Sequence, residues 1–250
     1  MYAARHARTT LGAAVAMGSL IATLLGSPGP ARAEFGPDLC LAQKAKAWGT
    51  RRQCERAEDA KAVLHRSADR AKCLTRFRDT MATLDARAEQ GGFPCRFRNN
   101  GDNTITDFQT GLMWVQLRGR DGVASADLLD VDNRYDWKTA LQVAADLNGS
   151  GPFPPTMITP VPGNGGYADW RLPNFLELAT IKDASAPGCG APGPLACVDA
   201  IFEATIPGGY WSSTSFDAVS VWWAHFGDPT LIGLSVKDQF LSVRPVRTAF

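Results

Sequence analysis

The strongest structural signal in this chain is Asp169-Trp170-Arg171-Leu172-Pro173-Asn174-Phe175-Leu176-Glu177-Leu178. Asn174 is a favourable N-cap residue, and Glu177 follows it at the three-residue spacing of a capping box. Pro173 prevents the helix from extending backwards past that cap. We therefore predict a buried aromatic residue, Trp170, followed by a short and well-capped helix.

Residues 1–33 have the composition of a secretory signal peptide. A basic start is followed by an uncharged run rich in Ala and Leu at residues 11–25, and Ala31-Arg32-Ala33 forms a small-x-small cleavage site. The apolar run is shorter than a comfortable membrane span requires. We expect a secreted protein, either periplasmic, on the cell surface or extracellular, with no membrane span after cleavage.

Charge divides the remaining chain into two parts. Residues 34–98 contain 14 Lys and Arg against 9 Asp and Glu, whereas residues 99–250 contain 9 against 16. The basic part faces either an anionic polymer or the acidic part of the same chain. A modest basic excess on a helical segment is typical of a solvated surface, so we expect no nucleic-acid partner.

Residues 34–95 are predicted to form a helical hairpin. The segment is rich in Ala, Lys, Arg and Glu, and its apolar residues recur at three- and four-residue steps. A single helix would hold Cys54 and Cys73 about 30 Å apart, which is too far for a disulfide. A turn near His65-Arg66-Ser67, with Ser67 as the next N-cap, brings the two cysteines together.

All six cysteines follow residue 33, as expected in an oxidising compartment. The hairpin pairs Cys54 with Cys73 and Cys40 with Cys95, and we expect Cys189 and Cys197 to close a local staple. A Cys40–Cys54 bridge would contradict the hairpin. The segment resembles a cysteine-containing, Ala/Lys-rich helical module without known activity that precedes various exported bacterial domains. The matching residues are Cys40, Lys44, Lys46, Gly49, Cys54, Cys73, Phe77 and Cys95.

From Arg96 onwards the pattern changes to short strands and turns. We predict a β-hairpin over residues 97–107, an apolar strand at 110–115, an amphipathic helix at 136–147 and final strands at 210–214, 221–226 and 241–247. The helix is expected to bury Trp137, Leu141, Ala144 and Ala145. A Gly/Pro-rich loop occupies residues 149–166.

Residues 96–248 resemble the bacterial domain family named for the C-terminal domain of the Legionella collagen-like adhesin. The matching pieces, in order, are RFRNNGDNTITDFQTGLMWV, DVDNRYDWKTAL, YADWRLPNFLEL, YWSSTS and VRPVR. The resemblance implies an α+β, C-type-lectin-like domain of the formylglycine-generating-enzyme-like architecture at residues 96–250, with short antiparallel strands and two helices. It also implies a surface or secreted protein, because several members are such proteins and the namesake is an adhesin that binds sulphated glycans.

Two features of this chain depart from the namesake. It has no collagen-like Gly-x-y run, so a trimeric stalk cannot be assumed. Its C-terminal part is acidic, which argues against a sulphated ligand unless a local basic patch or a bridging metal overrides the net charge.

The resemblance places the Arg-Leu-Pro helix and the closing Arg-Pro strand in the core of the domain. We accordingly expect structural rather than ligand-binding roles for Trp114, Trp170, Arg171, Pro173, Glu177, Trp211 and Arg244. Since a charge near the core must be paired, Arg171, Glu177, Arg244 and Arg247 are expected to form an ion network.

Catalysis is not expected, because it requires a nucleophile beside a base. The only histidines after residue 33 are His65 and His225. Ser212 and Ser213 lie near His225 in sequence, but no third residue is placed to orient the imidazole. Enzymes of the resembling fold use cysteines late in the chain, and none follows Cys197 here.

A candidate calcium loop lies between the apolar strand and the amphipathic helix. Asp127, Asp130, Asp132 and Asp136 supply hard oxygen ligands within ten residues. The alternative is a solvated acidic loop in which Asp136 caps the following helix. Calcium is therefore a candidate cofactor, and no other is expected.

Sugar binding needs an exposed aromatic ring beside polar side chains. Trp222 and Trp223 point to opposite faces of one strand, so one of them is expected to be exposed. The predicted contact residues are Trp222, Trp223, Ser212, Ser213, Thr214 and His225. We predict non-catalytic recognition of a glycan or cell-surface polymer. The alternative is an assembly module whose helical arm binds a protein partner.

Overall fold

The structure, a computed structural model, describes residues 35–65, 67–120, 122, 127–149, 166–190 and 195–250. The predicted signal peptide, Arg66 of the predicted turn and most of the Gly/Pro-rich loop lie outside these residues. The part from Phe35 to Phe250 forms one compact unit.

Two long helices open the described chain and pack against each other. They are α1, Pro37–Val63, and α2, Arg70–Gly91, so the predicted helical hairpin is confirmed. The prediction of Ser67 as the N-cap of α2 is wrong. Asp69 takes that position, because its carboxylate accepts a hydrogen bond from the backbone N–H of Lys72 at 3.2 Å.

The three predicted disulfides are confirmed. Cys40–Cys95 and Cys54–Cys73 join the hairpin at Cα–Cα distances of 6.1 and 5.7 Å, and Cys189–Cys197 joins its loop at 4.7 Å. A two-helix unit buries little apolar surface of its own, and a disulfide typically stabilises such a unit by about 2–4 kcal/mol.

The strands of the described residues form two antiparallel sheets, which confirms the α+β class. One sheet contains four strands in the order β1-β2-β3-β7, and the other contains three in the order β4-β5-β6. Their bounds are Phe97–Asn99 for β1, Thr104–Asp107 for β2, Leu112–Val115 for β3, Gly209–Ser215 for β4, Ser220–His225 for β5, Ile232–Val236 for β6 and Val246–Thr248 for β7.

Two strands near the end of the chain differ from the prediction. β6 was not predicted, because Gly233 interrupts its short apolar pattern. The strand expected at residues 241–247 is reduced to β7. Pro245 has no backbone N–H to donate, so regular pairing with β3 begins only at Val246.

Helix α3, Trp137–Leu147, covers one face of the three-stranded sheet. Asp136 is its N-cap and accepts a hydrogen bond from the backbone N–H of Thr139 at 2.7 Å. Its buried apolar residues are Ala140, Val143, Ala144 and Leu147. The predicted burial of Leu141 is wrong, because the buried stripe lies on the neighbouring face of the helix and leaves Leu141 38% exposed.

Helix α4, Phe175–Thr180, confirms the predicted capping box. The Asn174 side chain accepts from the backbone N–H of Glu177 at 2.9 Å, and the Glu177 carboxylate accepts from the backbone N–H of Asn174 at 2.8 Å. The Pro173 carbonyl accepts from the Ser213 backbone N–H at 2.7 Å, which joins the start of α4 to β4. A single 3-10 turn, Ala200–Phe202, precedes β4.

Two apolar clusters lie on either side of the three-stranded sheet. One contains Trp114, Trp170 and Tyr210, and the other contains Trp211 together with residues of α3. Pro173 is also buried. The expectation that Arg171 belongs to the core is wrong, because its side chain is 44% exposed and reaches out to Glu177.

The predicted ion network does not form as one network. Arg171 makes a bidentate pair with Glu177 at 2.6 and 2.7 Å, and Arg247 pairs with Asp169 at 2.6 Å. Arg244 is fully buried and pairs with no carboxylate among the described residues. It donates instead to the carbonyls of Val115 and Ala204 at 3.1 Å and to the Thr205 hydroxyl at 2.6 Å.

The helical hairpin packs directly against the four-stranded sheet. Their shared cluster contains Cys40, Leu41, Leu84, Ala88, Cys95 and Phe108. The indole N–H of Trp48 donates to the carbonyl of Phe108 at 2.9 Å. The hairpin is therefore anchored by both apolar and polar contacts and belongs to the same unit as the sheets.

Candidate functional site

The sugar-contact residues predicted on β4 and β5 do not lie on one surface. Neighbouring residues of a strand point to opposite faces, so Trp222 and Trp223 separate. Trp223 is opposite Trp211 in the ladder and packs against the cluster that contains Trp211 and Val221. The predicted set therefore divides between the two faces of the sheet.

Trp222 lies on an aromatic surface. Thr214 and Ser213 of β4 lie close by, where they form hydrogen bonds with the start of α4. The Trp222 ring stacks on Phe175 at a centroid distance of 5.4 Å and meets the edge of Phe216 at 6.1 Å. The Thr214 hydroxyl accepts from the backbone N–H of Phe175 at 3.2 Å, and the Ser213 hydroxyl donates to the Pro173 carbonyl. We call Phe175, Thr214, Phe216 and Trp222 the Trp222 surface.

Ser212, Trp223 and His225 do not belong to this surface. Ser212 is fully buried and donates its hydroxyl to the carbonyl of Trp222 at 2.6 Å, so its prediction as a contact residue is wrong. Both faces of β4 are covered at this point, which overrides the usual alternation of exposed and buried residues. His225 lies edge-on to Trp223 at 5.8 Å. Burial lowers the pKa of its imidazole, so this group is neutral near pH 7.

The predicted calcium ligands do not converge. Asp127 pairs with Arg118 at 2.8 Å, Asp130 accepts from the backbone N–H of Asp132, and Asp136 caps α3. Within the described part of the chain, no group of three or more acidic, histidine or cysteine side chains is arranged to hold a metal. The calcium site predicted from these four aspartates is therefore corrected to a loop held by local hydrogen bonds.

A concave site lies elsewhere, beside the β1–β2 turn. Its volume is about 510 Å³, and it is lined by Arg98, Asn99, Asn100, Asp102, Thr106, Met113, Tyr167, Ala249 and Phe250. We call it the Tyr167 cavity. It combines two aromatic rings with planar amide, carboxylate and guanidinium groups. An aromatic ring beside polar side chains is the combination that was predicted for a sugar site on β4 and β5.

The orientation of the Tyr167 ring is restricted by neighbouring side chains. The guanidinium of Arg247 lies 3.7 Å from the ring centroid, and Asp169 fixes that guanidinium with hydrogen bonds of 2.6 and 3.2 Å. Trp170 meets the ring edge-on at 6.3 Å. These contacts restrict the ring, so an aromatic platform is present before any ligand arrives.

The polar side of the cavity is organised by Asn100. Its amide nitrogen donates to the hydroxyls of Thr104 and Thr106 at 2.8 and 2.9 Å, and its oxygen accepts from Nε of Arg98 at 3.1 Å. Asp102 uses one carboxylate oxygen to accept from Thr104. Among the described residues, the terminal nitrogens of Arg98 and the second oxygen of Asp102 have no hydrogen-bond partner.

The sequence model of the Lcl C-terminal domain matches residues 103–247 of this chain, more than half of its length. The chain belongs to the Lcl C-terminal domain family. This confirms the family suspected from the five sequence motifs. A search of curated proteins found no match.

Membership of the Lcl C-terminal domain family is compatible with an adhesin-like surface protein. Together with the three disulfides, it is typical of an extracellular or periplasmic protein. No helix in the described ranges has both the length and the apolar composition that a membrane crossing requires.

The family match also locates the two candidate surfaces. The Trp222 surface lies entirely within the residues matched to the Lcl C-terminal domain. The Tyr167 cavity straddles the boundary, because Thr106, Met113 and Tyr167 are inside the match and Arg98 and Phe250 are outside it. The helical hairpin precedes the matched residues.

Sequence reasoning missed the Tyr167 cavity as a site. The residues Asn99-Asn100-Gly101-Asp102 are typical of a hairpin connection, and they lead from the end of β1 towards β2. Their amide and carboxylate groups serve the turn and line the cavity at the same time. The only local signal is the density of planar polar side chains, and it does not indicate that Tyr167 and Phe250 fold against them.

Proposed function

We propose that this protein is a non-catalytic, adhesin-like glycan-binding protein that acts outside the cytoplasm, and that the Tyr167 cavity holds the sugar. The observation that carries this proposal is a cavity in which a restrained aromatic ring, Tyr167, faces the same space as Arg98 and Asp102. An apolar sugar face stacks on an aromatic ring, while its hydroxyls need donors and acceptors at fixed positions.

The donor and acceptor in the cavity suit a pair of sugar hydroxyls. The terminal nitrogens of Arg98 donate, and the second carboxylate oxygen of Asp102 accepts. Asn100 holds Arg98 through its Nε, and Thr104 holds Asp102, so both groups have limited freedom to lose on binding. These features support specific binding without a metal bridge.

The charge of the cavity favours a neutral glycan. Among the described residues that line it, Arg98 and Asp102 alone carry charged side chains, and these two charges cancel. The acidic excess of residues 99–250 adds a repulsive field for sulphate groups. We therefore propose that this member differs from the namesake adhesin in preferring neutral sugars.

The hydroxyl and imidazole groups on the three-stranded sheet support a non-catalytic role. Ser212 is buried and donates its hydroxyl to the backbone carbonyl of Trp222 in β5. Nδ1 of His225 accepts from the backbone N–H of Gly227 at 3.1 Å. Neither group is placed as a nucleophile beside its base.

The proposal is tested by binding of the full, disulfide-bonded protein to an array of neutral, sialylated and sulphated glycans. We expect saturable binding to one set of neutral glycans, unchanged by a chelator because the aspartates of the 127–136 loop are engaged locally. Heat-denatured protein provides the control for nonspecific adhesion. Binding confined to sulphated glycans would contradict the neutral-ligand proposal, and silence of the folded protein across the array would contradict glycan binding.

The second candidate is an assembly module that binds a protein partner through the helical arm. The observation that favours it is the presence of exposed apolar side chains on the hairpin. Val63, Leu64 and Leu74 are 78, 63 and 40% exposed. The assembly module would be supported by two results together. The protein would bind no glycan, and a protein partner that co-purifies with it would no longer do so when these three residues are replaced.

A further inference from the structure

A groove runs between α1 and α2, away from the Tyr167 cavity. Its volume is about 410 Å³. The lining residues are Gln43, Lys46, Ala47, Thr50, Arg51 and Cys54 from α1, and Cys73, Arg76, Phe77, Thr80 and Leu84 from α2. They recur at three- and four-residue steps, so both helices present one continuous stripe to the same space.

The floor of this groove is apolar and elongated. Ala47, Phe77, Leu84 and the Cys54–Cys73 disulfide supply carbon and sulfur surface. The lining of α1 extends from Gln43 to Cys54, which corresponds to about 17 Å along a helix. A trough of this shape suits an extended chain better than a compact ring.

The rim of the groove is cationic. Every charged residue that lines it is basic, namely Lys46, Arg51 and Arg76. Arg51 pairs with Glu55 at 2.8 Å and lies over the rings of Trp48 and Phe77 at 5.2 and 5.1 Å. Lys46 and Arg76 form no ion pair with any described residue. An anionic group at the rim would therefore meet an unpaired cation without displacing an existing carboxylate.

We propose that the groove binds a free fatty acid, a monomeric ligand with an unbranched apolar chain and a carboxylate head. The chain lies on the floor formed by Ala47 and Phe77, and the carboxylate contacts one of the two unpaired rim cations, Lys46 or Arg76. The volume of about 410 Å³ lies in the range of small-ligand sites, about 300–1,000 Å³.

This site is independent of the glycan site. The groove and the Tyr167 cavity share no lining residue. The proposal also gives the hairpin a role beyond stabilising the sheet domain, because the Cys54–Cys73 disulfide holds the two walls of the groove at a fixed separation.

The test is isothermal titration of the full, disulfide-bonded protein with dodecanoate below its micellar concentration. Dodecanol provides the same chain without charge, and acetate provides the head group without the chain. We expect saturable binding of dodecanoate, about tenfold weaker binding of dodecanol because the attraction between the carboxylate and the cationic rim is lost, and no binding of acetate. No saturable binding of dodecanoate, or equal affinity for dodecanol, would overturn the proposal.

Variants connect the binding to the groove. The double variant Lys46→Gln/Arg76→Gln should weaken dodecanoate binding about tenfold, and Thr80→Trp should abolish it by filling the groove. Arg78→Gln is the matched control, since Arg78 is an exposed arginine of the same helix that does not line the groove. Circular dichroism before titration identifies any variant that has not folded. Equal effects of Arg78→Gln and of the double variant would overturn the assignment.

Two further probes separate other occupants from the one proposed. Anionic phospholipid vesicles report a membrane surface, and an acidic amphipathic peptide reports a protein partner. Binding of either probe, blocked by Thr80→Trp while dodecanoate itself fails to bind, would overturn the fatty-acid proposal in favour of that occupant.

Discussion

The indole ring of Trp48 in α1 stacks on the ring of Phe250 at a centroid distance of 5.7 Å and an interplanar angle of 12°. The same indole donates to the carbonyl of Phe108 and meets Phe77 of α2 at 4.5 Å. One side chain thus joins both helices of the hairpin to the four-stranded sheet. The unequal charges of the two parts, basic before residue 99 and acidic after it, are compatible with this packing.

Replacing Trp48 with Ala should destabilise the whole unit rather than the hairpin alone. The substitution removes a large half-buried side chain and leaves the Phe108 carbonyl without its donor, which together cost about 2–4 kcal/mol. Urea unfolding followed by fluorescence and by circular dichroism checks this. Leu64→Ala, at an exposed position, should change stability by less than about 0.5 kcal/mol. Separate unfolding of hairpin and sheets in the Trp48 variant with unchanged sheet stability would contradict this packing role.

Gly111→Ala probes the same junction from the other side. Gly111 has a φ of +74°, and a Cβ there would lie 2.7 Å from the Trp48 ring. We expect a loss of about 2 kcal/mol or more, from backbone strain together with displacement of the indole. Gly101→Ala is the control, since its φ is +77° but a Cβ there would meet open space. Equal losses from the two substitutions in thermal unfolding would show that strain alone acts at Gly111.

Replacing Arg244 with Met should destabilise the domain although it removes a buried charge. Burial lowers the pKa of this guanidinium, while its side chain supplies donors to two carbonyls and to the Thr205 hydroxyl. Methionine fills much of the volume but leaves these acceptors unpaired, at a cost of about 2–4 kcal/mol. The free energy of unfolding in urea measures the effect, with Arg78→Gln as an exposed control. If the Met variant is as stable as the wild type, the hydrogen bonds of Arg244 do no more than offset the free energy needed to bury its charge, and the prediction is wrong.

The tip of the hairpin should lose stability in acid through Glu58. Hydrogen bonds from Lys72, the Asp69 backbone N–H and Lys61 lower the pKa of this carboxyl from 4.5 to about 2. A carboxyl with a depressed pKa in the folded state stabilises that state above the unfolded pKa. The contribution is therefore fully present above about pH 4.5 and is lost as the pH falls towards 2.

The measurement is the urea midpoint of the wild type and of Glu58→Gln between pH 2 and pH 7, with Glu89→Gln as an exposed control. We expect the difference between wild type and Glu58→Gln to shrink as the pH falls below 4.5. A difference that is constant across the range would contradict the role of the ionised carboxyl.

The features that were predicted correctly from the sequence are those that depend on residues close together in the chain. The capping box of α4 depends on Asn174 and Glu177 alone, and the disulfide pairing of the hairpin follows from how far a single helix would separate its cysteines. The N-cap of α2 was misplaced by two residues, because Ser67 and Asp69 are both favourable caps and only packing selects between them. Local signals therefore predict the presence of a helix or strand more reliably than the residue at which it begins.

The features that were missed depend on contacts distant in sequence. Strand alternation predicts that Ser212 faces outward if Trp211 faces inward, but the first half of β4 is covered on both faces. The Tyr167 cavity joins the β1–β2 turn to Tyr167 and Phe250, which no periodicity connects. Arg171 was assigned to the core by its motif, and its exposure depends on the position of α4 at the surface.

The most direct test of glycan binding at the Tyr167 cavity compares two aromatic substitutions. The affinity for the tightest glycan on the array is measured for the wild type, Tyr167→Ala and Trp222→Ala, after thermal unfolding has shown that each protein is folded. We predict that Tyr167→Ala weakens binding about tenfold, or ~1.4 kcal/mol, whereas Trp222→Ala leaves it unchanged. Loss of binding in Trp222→Ala with wild-type affinity in Tyr167→Ala would contradict the assignment and move the sugar site to the Trp222 surface.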